Sequence, residues 1–158
     1  METRNTYAYP IDERDIVRML TTESESHRVF KEKTGSFDLS KAVDFLCKEG
    51  TPIKAAFEGK VVKIKNNVRS KDILPLEKQD DNHVIIRHLH DEFSIYSHLT
   101  FSGAKISGGQ IVNSDDLVGY SGRPDYDGLS CVHFMVYRFL APPPSRDLAS
   151  LEIRWKRV

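Results

Sequence analysis

Asp44, His98 and His133 bring to one chain the donor types that a divalent metal takes. Asp44 sits in the run Ala42-Val-Asp-Phe-Leu-Cys47, His98 in Tyr96-Ser-His-Leu99, and His133 in Cys131-Val-His-Phe134. Carboxylate oxygen and imidazole nitrogen form a common zinc ligand set, and both histidines lie in strand-like patterns that can hold a ring in a fixed direction. Alone, each has a plainer explanation: Asp44 as a turn-capping carboxylate, His133 and His98 as packed strand histidines. Cys131 precedes His133 by two positions, so in a strand both side chains face the same way, with α-carbons about 6.6 Å apart. A cysteine nucleophile activated by His98 or His133 is a further reading. It is disfavoured because an i, i+2 strand pair does not put sulfur and imidazole in contact, and no glycine-rich elbow precedes Cys131. His83, His88 and His90 also cluster, but strand and turn histidines are usually solvated or hydrogen-bonded, and they are not taken as candidates.

Short strands must position these groups. The sequence predicts strands over Thr51–Phe57 and Lys60–Lys65, paired through Glu58-Gly59 with glycine at positive φ. It predicts a second hairpin, His83–His88 with Glu92–His98, turning at Leu89-His90-Asp91. Further strands are expected over Ala104–Val112, Leu117–Ser121, Cys131–Tyr137 and Leu151–Trp155, separated by glycine turns. Near the N-terminus, Asp12 is a candidate cap for a short helical turn that carries Ile16, Val17 and Leu20 on one side. Asn66–Asp81 is a polar segment long enough to overhang a groove, and Ala141-Pro-Pro-Pro-Ser145 is an irregular connection. Lys60, Lys63 and Lys65 alternate partly with apolar residues and read as a solvated strand face. Many short strands and little helix predict an all-β fold, an antiparallel sandwich or barrel-like domain with a short helical or irregular N-terminal segment.

Composition narrows the partners. With 158 residues and 39% hydrophobic content, the chain can bury one core. Lysine plus arginine and aspartate plus glutamate each number 23, so no whole-molecule field draws nucleic acid or an anionic membrane. No apolar run approaches the roughly 20 residues of a spanning helix, and the first residues lack the apolar core of a signal peptide. As it stands the chain is expected to be cytoplasmic, or extracytoplasmic if a leader was removed, so the compartment stays open. Two cysteines, Cys47 and Cys131, are too few for a disulfide framework and read as buried thiols, although an oxidised bridge between them is conceivable.

Several motifs then occur in a telling order. Ala-Val-Asp-Phe-x-x-x-x-Gly-Thr-Pro-Ile-x-Ala-Ala-x-x-Gly-x-Val is followed by Asn-His-Val-Ile-Ile-Arg-His, Tyr-Ser-His-Leu, Gly-Gly-Gln-Ile-Val, Leu-Val-Gly-Tyr-Ser-Gly and Val-His-Phe. This order resembles the lysostaphin and LytM-type zinc peptidases over about residues 27–156. The resemblance implies a duplicated-hairpin β-sandwich at 27–158, with residues 1–26 packed on it. It also implies a groove that, in that family, cleaves glycine-containing peptide bonds of bacterial peptidoglycan. By position it implies Asp44 and His133 as metal ligands and His98 as the group that orients water or steadies a developing oxyanion.

Two departures bear on activity. Gly35 stands where the family's first metal histidine would lie by distance, and Lys33 is the nearest match by motif. Lysine is a poor ligand because its ammonium must first lose a proton near pH 10.4. His27, in Ser26-His27, is the other candidate if an insertion follows it. Cys131 replaces the first histidine of His-x-His, the family's general base or proton shuttle, and a thiol with pKa about 8.5 performs that role badly. Were its thiolate to join His27, Asp44 and His133, the four would make a closed, structural metal site. Arg123-Pro-Asp-Tyr-Asp-Gly128 replaces a small-residue loop that lines the family's groove, so Arg123 and Tyr126, with Tyr96, are candidates for contacting substrate. The expected function is therefore a metallopeptidase homologue with impaired hydrolysis, with zinc as its candidate cofactor, that binds a peptide, a peptidoglycan-derived ligand or a protein partner. The alternative is an active zinc endopeptidase acting on peptidoglycan cross-links.

Overall fold

The computed structural model describes residues 1–21, 39–69, 82–100, 102–124 and 127–157. Its organising element is the ten-residue strand β10 (Ser130–Phe139), which is buried on both faces over most of its length. A strand covered on both faces reads as a nearly continuous apolar run, which is how Cys-Val-His-Phe-Met-Val-Tyr appears in the sequence. The other strands are β1 (Glu2–Tyr7), β2 (Arg18–Leu20), β3 (Val43–Cys47), β4 (Pro52–Lys54), β5 (Gly59–Lys65), β6 (His83–Arg87), β7 (Phe93–Ser97), β8 (Ile111–Val112), β9 (Leu117–Tyr120), β11 (Leu148–Ser150) and β12 (Glu152–Trp155). The main sheet runs β2-β3-β10-β7-β6-β5-β8, with β11 also on β10; β4 pairs with β9 in a small sheet, and β1 pairs with β12. All ladders are antiparallel except β1–β12. The all-β expectation holds. No helix among the described residues is long and apolar enough to cross a membrane.

Alternation divides the main sheet into two faces. Phe45, Val61, Val84, Ile86, Tyr96, Val132, Phe134 and Val136 point to the core, where the β1–β12 pair closes over them. Trp155 packs against Tyr9, Phe45 and Phe134, with ring centroids 5.0, 6.1 and 5.9 Å away. The opposite face carries Asp44, Cys131 and His133, then a smaller apolar cluster of Ala42, Met135 and Tyr137.

The predicted hairpin β6–β7 is present, in register from His83↔Ser97 to Arg87↔Phe93, and a 3₁₀ turn at Leu89–Asp91 joins its strands. The predicted hairpin over residues 51–65 is not. β4 pairs with β9, while β5 pairs with β6 and β8, so the two segments part into different sheets. Gly59 is needed for another reason than a turn: a Cβ there would lie 2.3 Å from the Arg87 carbonyl oxygen and 2.8 Å from His88 Nδ1. It permits close approach of two strands. Only Ile111–Val112 of the expected strand over Ala104–Val112 is extended and paired. Near the N-terminus the helical turn is reduced to Glu13–Asp15, with the Asp12 carboxylate accepting from the Arg14 amide, and Leu20 belongs to β2.

β1 was not anticipated, because Glu-Thr-Arg-Asn-Thr-Tyr has little apolar content. A buried carboxylate holds it instead. Glu92, with 0% exposure, accepts from the amides of Arg4 and Asn5, from Asn5 Nδ2 (2.8 Å) and from the Tyr7 hydroxyl (2.9 Å). Arg138 approaches it to 3.6 Å.

Candidate active site

The β3–β10 register sets Asp44 directly opposite His133. Their side chains meet: Asp44 Oδ1 lies 2.8 Å from His133 Nδ1, and Asp44 is only 2% exposed. On the other side of β10, His133 stands opposite Ser97, the last residue of β7. His98 follows at once, with φ of 68°. Histidine is among the few non-glycine types found in this left-handed region, and departures of this kind cluster at functional sites. The conformation takes His98 off the strand, and its ring lies 6.1 Å from that of His133, nearly edge to face at 70°.

The segment Leu117-Val-Gly-Tyr-Ser-Gly122 supports this bend. The Gly122 amide donates to the His98 carbonyl (2.9 Å), and a Cβ on Gly122 would come within 2.8 Å of the same oxygen. The Ser130 hydroxyl donates to the Gly122 carbonyl, and Ser121 Oγ accepts from the Thr51 amide while donating to the Lys48 carbonyl. Backbone from three parts of the chain thus fixes the place where His98 leaves β7.

Cys131 lies opposite Leu46, on the Asp44–His133 face, and is buried. Cys47 belongs to the core on the other face of the sheet, where burial raises its pKa, so the conceivable bridge between the cysteines is not formed. Tyr96 does not line the site face. It points into the core with 0% exposure, its hydroxyl accepting from the Ala56 amide at 2.9 Å and its ring against Phe134. Alternation explains this: His133 faces the site, and Tyr96 is paired with the next residue, Phe134. Arg123 is half-buried beside Gly122. His27, Lys33 and Tyr126 lie outside the described residues.

His88, passed over as solvated or hydrogen-bonded, is buried within the core-side network. Its Nδ1 is 2.7 Å from the Glu58 carbonyl and its Nε2 2.7 Å from Ser94 Oγ, and burial lowers its pKa below the ordinary value. His83 is different. It pairs with Ser97, so Asp44, His133, Ser97, His83 and Lys65 form a single row across β3, β10, β7, β6 and β5. Strand pairing, which the sequence does not print, was the only signal that could have placed His83 there.

The family model for peptidase family M23 matches residues 38–143, a span that holds Asp44, His98, Cys131 and His133. The chain belongs to this family. No curated protein sequence matches it. Among solved structures it is similar to a zinc-containing peptidase from Vibrio cholerae, at 21% identity and a TM-score of 0.55, over 84% of this chain and 36% of that one. It is also similar to a putative peptidase M23 from Pseudomonas aeruginosa, at 19% identity and a TM-score of 0.55, over 96% and 49%. A third likeness is to a mutant catalytic domain of the prophage-encoded M23 protein EnpA from Enterococcus faecalis, at 18% identity and a TM-score of 0.54, over 83% and 86%. The chain spans about a third of the length of the first of these, and at such identities the likeness is one of fold.

Members of the family are usually zinc-dependent, and the donor chemistry present is compatible with that. Asp44 and His133 offer oxygen and nitrogen at one buried point. Among the described residues no group of three or more potential ligands forms, so a third ligand would come from elsewhere in the chain, His27 being the candidate that the sequence supplies.

Proposed function

We propose that this domain is a peptide-binding member of its family whose hydrolytic step is impaired. The observation that carries this reading is the position of Cys131. It faces the same side as His133, two residues away, where the family's motif has an imidazole, and it is 5% exposed between β3 and the strand end. A thiol at that point provides no efficient proton acceptor at neutral pH. General acid–base catalysis of this kind is typically worth about 10²- to 10⁴-fold in rate.

Asp44, His133 and a third residue such as His27 would hold zinc, which when bound polarises a peptide carbonyl and acidifies a water molecule. The chain's own groups do the rest. Asp44 Oδ1 and His133 Nδ1, 2.8 Å apart in the β3–β10 register, are two donors that would face the same cation. His98, held by the Gly122 loop, presents an imidazole beside it to steady negative charge on the carbonyl oxygen. The ligand in this reading is a peptide or peptidoglycan-derived fragment, with a protein partner as the other possibility.

The second reading, an active zinc endopeptidase acting on peptidoglycan cross-links, is favoured by the intact Asp44–His133 contact and by the constrained His98. Zinc stoichiometry and peptide-bond cleavage of peptidoglycan fragments, measured together on the wild type, Cys131→His and His133→Ala, separate the two. The impaired-site reading expects fragment binding with little turnover in the wild type, and a gain of about 10²-fold or more on Cys131→His. Rapid wild-type turnover that disappears in His133→Ala would establish the endopeptidase instead. Undiminished zinc affinity in His27→Ala would remove that residue from the ligand set.

A further inference from the structure

Five serines are buried among the described residues, and the protein itself holds four of their hydroxyls. Ser94 Oγ lies 2.7 Å from His88 Nε2, Ser121 and Ser130 donate to the carbonyls of Lys48 and Gly122, and Ser150 accepts from the Lys41 amide at 3.1 Å. Ser97 is the exception: its hydroxyl has no hydrogen-bond partner among the described residues, although the residue is only 8% exposed. A polar group so placed calls for a partner outside the protein.

Its position says what that partner serves. Ser97 stands opposite His133 on β10 and His83 on β6, and because Tyr96 points into the core, Ser97 points to the site face. Directly opposite residues have Cβ atoms about 4.5–5.5 Å apart. His133 turns Nδ1 toward Asp44 on β3, at 2.8 Å. Nδ1 and Cδ2 leave Cγ on opposite sides, so the Cδ2–Nε2 edge of the ring is turned away from β3 and toward β7. Ser97 stands there, and His98 follows it with a ring 6.1 Å from that of His133. No direct bond joins Ser97 to His133, and the gap between two such groups is one that a water molecule bridges.

We propose that Ser97 is a further positioning residue of the site: its hydroxyl holds a water molecule that bonds Nε2 of His133 and so keeps Nδ1 turned toward Asp44 and the cation position. This role rests on Asp44 and His133 being metal ligands, as read above, and adds a support to them. A histidine that ligates a metal through one nitrogen almost always uses the other in a hydrogen bond, which sets the ring's direction and basicity. A hydroxyl suits the task because it both donates and accepts. Through the water it receives from Nε2–H when Nδ1 faces a cation, and it gives when Nδ1 carries the proton toward Asp44. At 8% exposure Ser97 is within reach of a water molecule and not of a peptide, so it acts on His133 and not on a substrate.

Zinc affinity, measured by competition with a chromophoric chelator, tests this on the wild type, Ser97→Ala and His133→Ala, together with urea unfolding of the metal-free proteins. Ser97→Ala should bind zinc about 10-fold more weakly, the lower end of the loss that follows removal of a ligand's outer partner. Its metal-free urea midpoint should not fall, because no bond within the protein is lost. In zinc-loaded protein with isotope-labelled histidine, the Nε2–H of His133 should exchange with solvent faster in Ser97→Ala than in the wild type. Undiminished zinc affinity in Ser97→Ala overturns the role of Ser97 and leaves the ligand reading standing. A fall in its metal-free midpoint that matches the lost affinity also overturns it, since Ser97 would then serve packing alone. A wild type that binds no zinc, or zinc affinity unchanged in His133→Ala, overturns the ligand reading and the role of Ser97 with it.

Discussion

Replacing Glu92 tests how the N-terminal strand is held. Oε2 of Glu92 receives the Asn5 amide, Asn5 Nδ2 and the Tyr7 hydroxyl, while Oε1 receives the Arg4 amide and faces Arg138. In Glu92→Gln the side-chain volume is kept, but one oxygen becomes an NH₂ that can only donate. It will turn toward the Oε1 side, where fewer contacts are lost, and there it meets the Arg4 N–H and the Arg138 guanidinium. Hydrogen bonds to a charged group contribute about 1.5–3 kcal/mol, and a buried donor left without an acceptor costs about 1–3 kcal/mol. The expected loss is about 2–3 kcal/mol for Glu92→Gln, rising to about 3–5 kcal/mol for Glu92→Ala, which strands every donor and the Arg138 charge. Against a total stability of about 5–15 kcal/mol, either is large. Tyr7→Phe alone should cost about 1.5–3 kcal/mol and appreciably less once Glu92 is neutral, so a double-mutant cycle should show coupling. The single tryptophan, Trp155, packs in the same layer and reports urea unfolding directly. A Glu92→Gln midpoint equal to the wild type's, with unchanged slope, would refute the clamp and leave β1 held by β12 and apolar contacts alone.

Other substitutions probe the site's supports. Burial holds His88 below its ordinary pKa, so below about pH 6.5 the unfolded chain takes up a proton that the native protein refuses. The stability that this neutral imidazole contributes is complete above that pH and is lost as pH falls through the lowered native value, by at most about 1.4 kcal/mol per unit. Urea midpoints measured against pH should therefore fall less steeply in acid for His88→Gln. Gly122→Ala drives a methyl group against the His98 and Leu99 carbonyls, and should weaken peptide binding while costing about 1–3 kcal/mol; binding unaltered at full stability would show that the Gly122 loop does not position His98. Gly59→Ala, by contrast, meets the Arg87 carbonyl and His88 and should destabilise by a similar or larger amount by separating β5 from β6, which hydrogen exchange of those amides would detect.

The motifs of the sequence made the site's main pair legible because they sit in strongly patterned strands. Val-Asp-Phe and Val-His-Phe each bracket a polar residue between core residues, so the polar side chain has one direction left to take, away from the core. Tyr96, two residues before His98 in the same motif, lies one step out of phase with the site and faces the core, so nearness in sequence to a site histidine does not make it a substrate contact. The hairpin over residues 51–65 failed because a glycine between two apolar runs is ambiguous. It can supply a positive φ, or it can let another strand pass close by, and the Arg87 carbonyl next to Gly59 shows the second case. β1 was illegible because its docking comes from Glu92, a partner more than eighty positions away.

Because side chains alternate, the geometry of the Asp44–His133 pair and the stability of this sheet are tied together. Sliding β3 by one residue against β10 would carry Asp44 into the core and bring Phe45 and Val43 onto the site face. That would bury a carboxylate without its imidazole and expose two large apolar groups. The register that packs Phe45, Val132 and Phe134 is therefore the one that brings Asp44 to His133, and the main core specifies the pair without any contact to a ligand. Cys131 escapes this constraint. Its thiol fills a small buried place opposite Leu46, which packing alone accepts, so chemistry can be altered at position 131 with little consequence for the fold.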